Sequence, residues 1–239
     1  MLTKTDKEKI LEDLGQTEWD VEQELLALNE RVKQHDLPRL RIEHHEEGKH
    51  RFYIDFGESY MASSKQYLFL RMTEVQVIVF EEQEIRAFWR KDEDHPHCYA
   101  IDEKVLVADP VSKSCRHCRE SIPGFGSCKP KVRLFVLPLF KKMKQPMILS
   151  LSPTSIRPWR EHQLRLKRSG LPTVAVRTTL SLEDIQFEDF RWAKAIVGIR
   201  GIASRDQLTK ARQAYESIIP LRNRIGAQDY AEKGDRSES

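Results

Sequence analysis

Four cysteines, Cys98, Cys115, Cys118 and Cys128, fall within 31 residues of a 239-residue chain. Two sulfurs in a Cys-x-x-Cys turn, here Cys115-Arg116-His117-Cys118, sit close enough to share one tetrahedral ion. Sixteen residues separate Cys98 from Cys115, and nine separate Cys118 from Cys128. Loops of that length that end on strands can bring all four sulfurs together. The set suits a structural Zn2+, and four sulfurs leave no vacant coordination position of the kind a hydrolytic zinc needs. His95, His97 or His117 could replace one sulfur; a redox pair or buried free thiols are the other readings. Against redox use, the motif does not open a helix within a βαβ unit. Thiols meant for a metal stay reduced inside a cell, so a cytoplasmic protein is expected.

Charge is the second chemical signal. From Lys113 to Arg177 there are fifteen Lys/Arg against two acids, Glu120 and Glu161, although the whole chain is only +3. The remaining residues are therefore net acidic. Lys113, Arg116, Arg119, Lys129, Lys131 and Arg133 flank the cysteines, and Lys141, Lys142, Lys144, Arg157 and Arg160 follow. A solvated surface normally mixes signs, whereas neutralising phosphates calls for one sign, so this tract is read as a nucleic-acid surface. Single strands expose base faces, and proteins that hold them combine a cationic groove with stacking rings. Tyr99 and Phe125, placed in loops, are the stacking candidates, while Phe135 and Trp159 read as core. No helix-turn-helix pattern stands out for reading duplex DNA.

The elements that must position these residues are mainly strands. Leu40–Ile42, Phe52–Phe56, Tyr67–Arg71, Val75–Phe80 and Ile85–Trp89 are β-branched or aromatic runs, with Glu81-Glu82-Gln83-Glu84 read as a hairpin turn. Val132–Leu137 and Met147–Leu151 read as strands, as does Val174–Leu180. Between them Ser152-Pro153-Thr154-Ser155 caps a helix, with Pro158 in its first turn and Gly170 at its end. Ser204 caps a second helix that runs to Ile218. The expected fold is α+β and mainly β: an antiparallel barrel with a zinc-binding loop inserted at 95–130. An acidic helical segment over 1–38 precedes the barrel domain of 39–182; a helical segment over 183–227 and a flexible tail over 228–239 follow it. No run of eighteen apolar residues and no signal-peptide segment is visible, so neither a membrane nor a small-molecule substrate is expected.

The succession Cys98…Cys115-x-x-Cys118…Cys128-Lys129-x-x-x-Arg133-Leu134-Phe135-Val136, then Met147-Ile148-Leu149-Ser150-Leu151-Ser152-Pro153-Thr154-Ser155-Ile156, then Leu171-Pro172 and Val176-x-Thr178-x-Leu180-Ser181, resembles phage-type, helix-destabilising single-stranded DNA-binding proteins. The resemblance spans roughly residues 85–182. It implies an oligonucleotide-binding (OB) barrel carrying a small zinc element, zinc on the four cysteines, and strand contact near Lys129, Lys131 and Arg133. The chain departs from that pattern in its long acidic amino-terminal segment and in lacking a strongly acidic tail.

The residues and the resemblance together point to a non-catalytic single-stranded DNA-binding protein acting in replication or recombination of a phage or mobile element. An RNA-binding protein or an accessory protein of a guide complex is a second reading. A metal-dependent nuclease is a third, and it would need Asp55, Glu74, Asp92 and Asp94 to be gathered by folding. The acidic amino-terminal segment could also bind the basic face of a neighbouring copy, giving self-association along the strand.

Overall fold

The computed structural model describes residues 37–45, 47–58, 65–69, 72–90, 96–122, 126–140 and 143–223. The expected amino-terminal helix and the tail fall outside these residues, as do His95, Phe125, Lys141, Lys142, Asp92 and Asp94. The chain is mainly β. Ten strands form one sheet: β1 (Arg39–Glu43), β2 (Arg51–Glu58), β3 (Lys65–Phe69), β4 (Glu74–Phe88), β5 (Cys98–Ile101), β6 (Lys104–Val105), β7 (Lys129–Pro138), β8 (Met147–Leu151), β9 (Val176–Phe187) and β10 (Phe190–Ile202). Two α-helices, α1 (Pro153–Arg168) and α2 (Arg205–Ile218), and three short 3-10 turns also lie among the described residues.

The strand order is β10-β9-β4-β7-β8-β1-β2-β3, with β5 and β6 added beside the far end of β4. Every pairing is antiparallel except β1 with β8, joined in parallel at Arg39 and Ile148. The sheet is thus mixed, where an antiparallel barrel was expected.

β4 organises the sheet. Val75, Val77 and Val79 face one side, and Ile78 and Phe80 face the other, as strand alternation dictates. Its partner β7 alternates likewise, with Val132, Leu134 and Val136 on the first side and Phe135 and Leu137 on the second. The first side meets Trp159 of α1, together with residues of β1, β2, β8, β9 and β10, in one core. The second side meets Ala211 and Ile218 of α2. The two helices therefore cover opposite faces of the β4–β7 pair.

The Glu81–Glu84 cluster is not a turn. It lies inside a fifteen-residue strand, just past a register shift between Val79 and Glu81. Glu82 and Glu84 stand opposite Leu134 and Val132 on the α1 face, and there Arg160 donates to Glu82 at 2.7 Å and also binds Glu84. Gln83 points to the other face. A second expectation also fails between 183 and 202, where β9 and β10 form a long hairpin instead of helix. Its two-residue turn, Glu188-Asp189, holds Glu188 at φ 52° without the Gly or Asn that normally signals such a turn.

Sequence signals mark the start of α2 and the end of α1, whereas the expected Ser152 cap makes no side-chain bond to the first turn of α1. Ser204 and Gln207 form a reciprocal capping box on α2. α1 starts at Pro153, so Pro158 lies inside the helix rather than in its first turn. It ends in a left-handed Gly170 at φ 67°, with Leu171 N–H bonded to Leu166 C=O at 3.0 Å and Gly170 N–H to Lys167 C=O at 3.1 Å.

Side chains cover the free edge of β10. Ala193 N–H donates to His44 Nδ1, Ala195 N–H donates to Ser155 Oγ, and Arg165 donates to Val197 C=O, each at 2.9 Å. His50, beside β2, meets Asp184 of β9 at 2.9 Å. The sheet thus curls until its β1–β2 connection touches the β9–β10 hairpin. Among the described residues this contact is made by side chains and not by a backbone ladder.

His162 on α1 is fully buried against Trp159, with ring centroids 5.4 Å apart. Burial, helped by the charge of Arg165, holds its pKa down to about 4 from an ordinary 6.5. The unfolded chain takes up the proton first as pH falls, so the stabilisation is complete above about pH 6.5 and is lost as pH falls towards 4. Over that window the loss should reach about 3 kcal/mol. His162→Leu is expected to flatten the pH dependence of urea stability between pH 4 and 6.5; an unchanged slope would refute this assignment.

Candidate metal centre

The backbone around the cysteines is folded by short local bonds. Cys115–His117 and Arg119–Ser121 form two successive 3-10 turns, in which Cys118 N–H bonds Cys115 C=O at 3.3 Å and Ser121 N–H bonds Cys118 C=O at 3.0 Å. The loop then doubles back. Cys128 N–H donates to Glu120 C=O at 2.9 Å, and Ser127 N–H donates to the Glu120 carboxylate at 3.1 Å. A Cβ at Gly126 would lie 1.9 Å from that same carbonyl, so only glycine permits the return. Cys98 arrives on β5, opposite Phe88 of β4.

These pieces bring the four cysteines onto the wall of one pocket, together with Arg86, Phe88, Tyr99, Ala100, Val111, Ser112, Glu120 and Ser121. Its free volume is about 10 Å³, the room of a single water-sized sphere. Burial pushes the Cys115 thiol up, with the Arg86 guanidinium as the main opposing charge. Burial also pushes Cys128 up, to about 11, against the Ser121 hydroxyl and Arg86. At Cys115 and Cys128 burial therefore favours the neutral thiol, the opposite of what activates a redox cysteine. Among the described residues, no three His, Cys, Asp or Glu side chains stand close enough to hold a metal ion as they are. The donor set and the size of the pocket fit one soft cation, but the sulfurs line its wall and do not form a coordination shell.

Of the histidines considered as substitute ligands, His97 and His117 are among the described residues. His97 packs edge-on against Phe88 at 6.2 Å, and His117 is exposed. Neither lines the pocket.

Among the described residues, the basic tract does not turn all of its cations to solvent. Lys113, Arg116 and Arg119 are exposed around the cysteine turns, and none pairs with an acid among the described residues. Lys131 and Arg133 are buried at 6% and 1% exposure, which corrects their reading as strand contacts. Arg133 instead donates to the Gln83 amide oxygen at 3.1 Å and to Arg222 C=O at 2.7 Å. Arg160 is engaged with Glu82 and Glu84, and Arg157 with Glu161 at 3.0 Å. Lys144 is exposed, but it lies past the end of β7 farthest from Cys128, ten strand residues away. Lys129 opens β7 beside Cys128. Tyr99 is half-buried and lines the pocket, so less of its ring is available for stacking than a loop position suggested.

Arg86 was not anticipated. It alternates with Glu82, Glu84 and Phe88 on one face of β4 and stands opposite Ala100. The only signal available beforehand was an arginine two residues past an acidic run. Of the acids named for a nuclease, two are among the described residues: Asp55 is bonded to Arg41 at 2.8 Å, and Glu74 starts β4 opposite Ser181. No helix among the described residues is long and apolar enough to cross a membrane. Set against protein-family models, curated proteins and solved structures, the chain matches none.

Proposed function

We propose that this protein binds single-stranded DNA without catalysis, through a small cysteine element held by one structural Zn2+ and ringed by Lys113, Arg116, Arg119 and Lys129. One observation carries the reading: cysteines from separate stretches of chain line a single ion-sized pocket, with three exposed cations around it. Cys98, Cys115, Cys118 and Cys128 would supply the ligands of a closed, structural site. Metal ligands are thiolates, so binding would release protons. The curled sheet behind them is read as the oligonucleotide-binding type of barrel. The phosphates lie along the cationic rim, and the bases face Tyr99 and Phe125.

The test uses the full chain. Elemental analysis should find about one zinc per chain, lost on treatment with a strong chelator. Fluorescence anisotropy with oligo-dT should show affinity that falls with salt. Lys113→Ala/Arg116→Ala/Arg119→Ala should lower the slope of log K against log[salt] by about 2, since each phosphate contact contributes about 0.7 on single strands. Binding that ignores salt, or a metal-free protein that binds equally well, would end the proposal. Tighter competition by oligo-U than by oligo-dT would move the assignment to RNA.

A further inference from the structure

Among the described residues, two of the three most exposed large apolar side chains lie far from the cysteines, at the tip of the β9–β10 hairpin. Phe187 and Phe190 are 63% and 70% exposed, and they stand directly opposite each other across the ribbon. Strand alternation puts Ile185 and Trp192 on the same face, one pair further in. Two carboxylates, Glu188 and Asp189, form the turn, and neither pairs with a cation among the described residues. Asp184 and Glu183, just behind, are engaged by Arg191 and Lys194. The tip is therefore apolar and acidic, which suits neither solvent nor a phosphate backbone.

The cysteine element is its complement. Beside Lys113, Arg116 and Arg119 it exposes Val111 at 43% and Ile122 at 48%. The same chain thus carries an apolar surface with unmatched carboxylates and an apolar surface with unmatched cations. They cannot meet within one molecule. β9 runs antiparallel to β4 and passes Glu74 at Ser181, so the tip lies beyond the first residue of β4, while the cysteine element lies beyond its last. The fifteen residues of β4 lie between them, on the order of 45 Å of strand at about 3.3 Å per residue.

We propose that the hairpin tip of one copy docks on the cysteine element of a second copy. Phe187 and Phe190 cover Val111 and Ile122, and Glu188 and Asp189 face Lys113, Arg116 and Arg119. The contact joins two different surfaces, so it does not close on itself and grows head to tail. It rests on the composition of the two surfaces and holds whether or not the chain binds nucleic acid. If DNA does use the same cations, the two occupants compete.

Sedimentation velocity of the DNA-free full chain at low salt, over a concentration series, reads this directly. The weight-average mass should climb above that of the monomer with concentration and fall back at high salt. Phe187→Ser/Phe190→Ser should remain monomeric, as should Lys113→Glu/Arg116→Glu/Arg119→Glu. An equimolar mixture of the two variants should give a species of about twice the monomer mass and nothing larger, because each keeps one intact half. Ile122→Ser carries the same expectation as the charge-reversed chain, should that chain misfold. A wild type that stays monomeric, a variant that associates like wild type, or a mixture that stays monomeric would each overturn the proposal. A monomeric wild type whose oligo-dT affinity drops on Phe187→Ser/Phe190→Ser would reassign the tip to base stacking and likewise overturn it.

Discussion

Arg133→Ala should lower the unfolding free energy by about 3–5 kcal/mol, because it removes a buried cation and leaves its acceptors without a donor. Arg133 is 1% exposed. Its guanidinium holds the Gln83 side chain, itself 1% exposed, and the Arg222 carbonyl, and it lies 5.3 Å from the Phe135 ring. It therefore ties β7 to β4 and to the segment after α2. Lysine cannot replace that fork, so Arg133→Lys should recover little of the loss. Replacing both partners by apolar groups of similar size, as in Arg133→Met/Gln83→Leu, should recover more, since it leaves fewer buried polar atoms unmatched. Urea denaturation of the three variants separates these outcomes, and a single-alanine loss within about 0.5 kcal/mol would refute the structural role. The double variant also tests the functional reading: if Arg133 is structural, a refolded double variant binds oligo-dT like wild type.

The second large effect belongs to Trp159. Its side chain is fully buried in the core built from α1, β1, β2, β4, β7, β8, β9 and β10. Trp159→Ala should cost about 3–5 kcal/mol, combining lost apolar burial with the cavity left behind. Trp159→Phe should cost less than about 1.5 kcal/mol, because it keeps most of the volume. The indole N–H has no acceptor among the described residues, so no hydrogen bond is lost with it. Equal losses from alanine and phenylalanine, measured by thermal or urea unfolding, would mean that packing is not what this residue contributes.

The parts of this protein governed by short-range rules were readable in advance. Met147–Leu151, apolar at every position but Ser150, becomes β8; Ser204 begins α2, and Gly170 ends α1. The hairpin of β9 and β10 was hidden because its turn carries Glu-Asp in place of the residues that favour positive φ. β4 was broken in two because four polar residues in a row look like a turn. They are strand because Arg160, 78 positions from Glu82 and 76 from Glu84, arrives on α1 to neutralise both.

The amino-acid order by itself determined that cysteines, cations and turn glycines would be neighbours along one tract, because spacing and side-chain chemistry are local properties. Only the tertiary structure decided which way each side chain faces. Along a strand, successive residues point to opposite sides, so Val132 and Leu134 enter the α1 core while Lys131 and Arg133 are buried among other partners. A charge count records the sign and number of the groups. Whether a group meets solvent, a carboxylate or a buried amide depends on segments far away in the chain, and only folding brings those segments together.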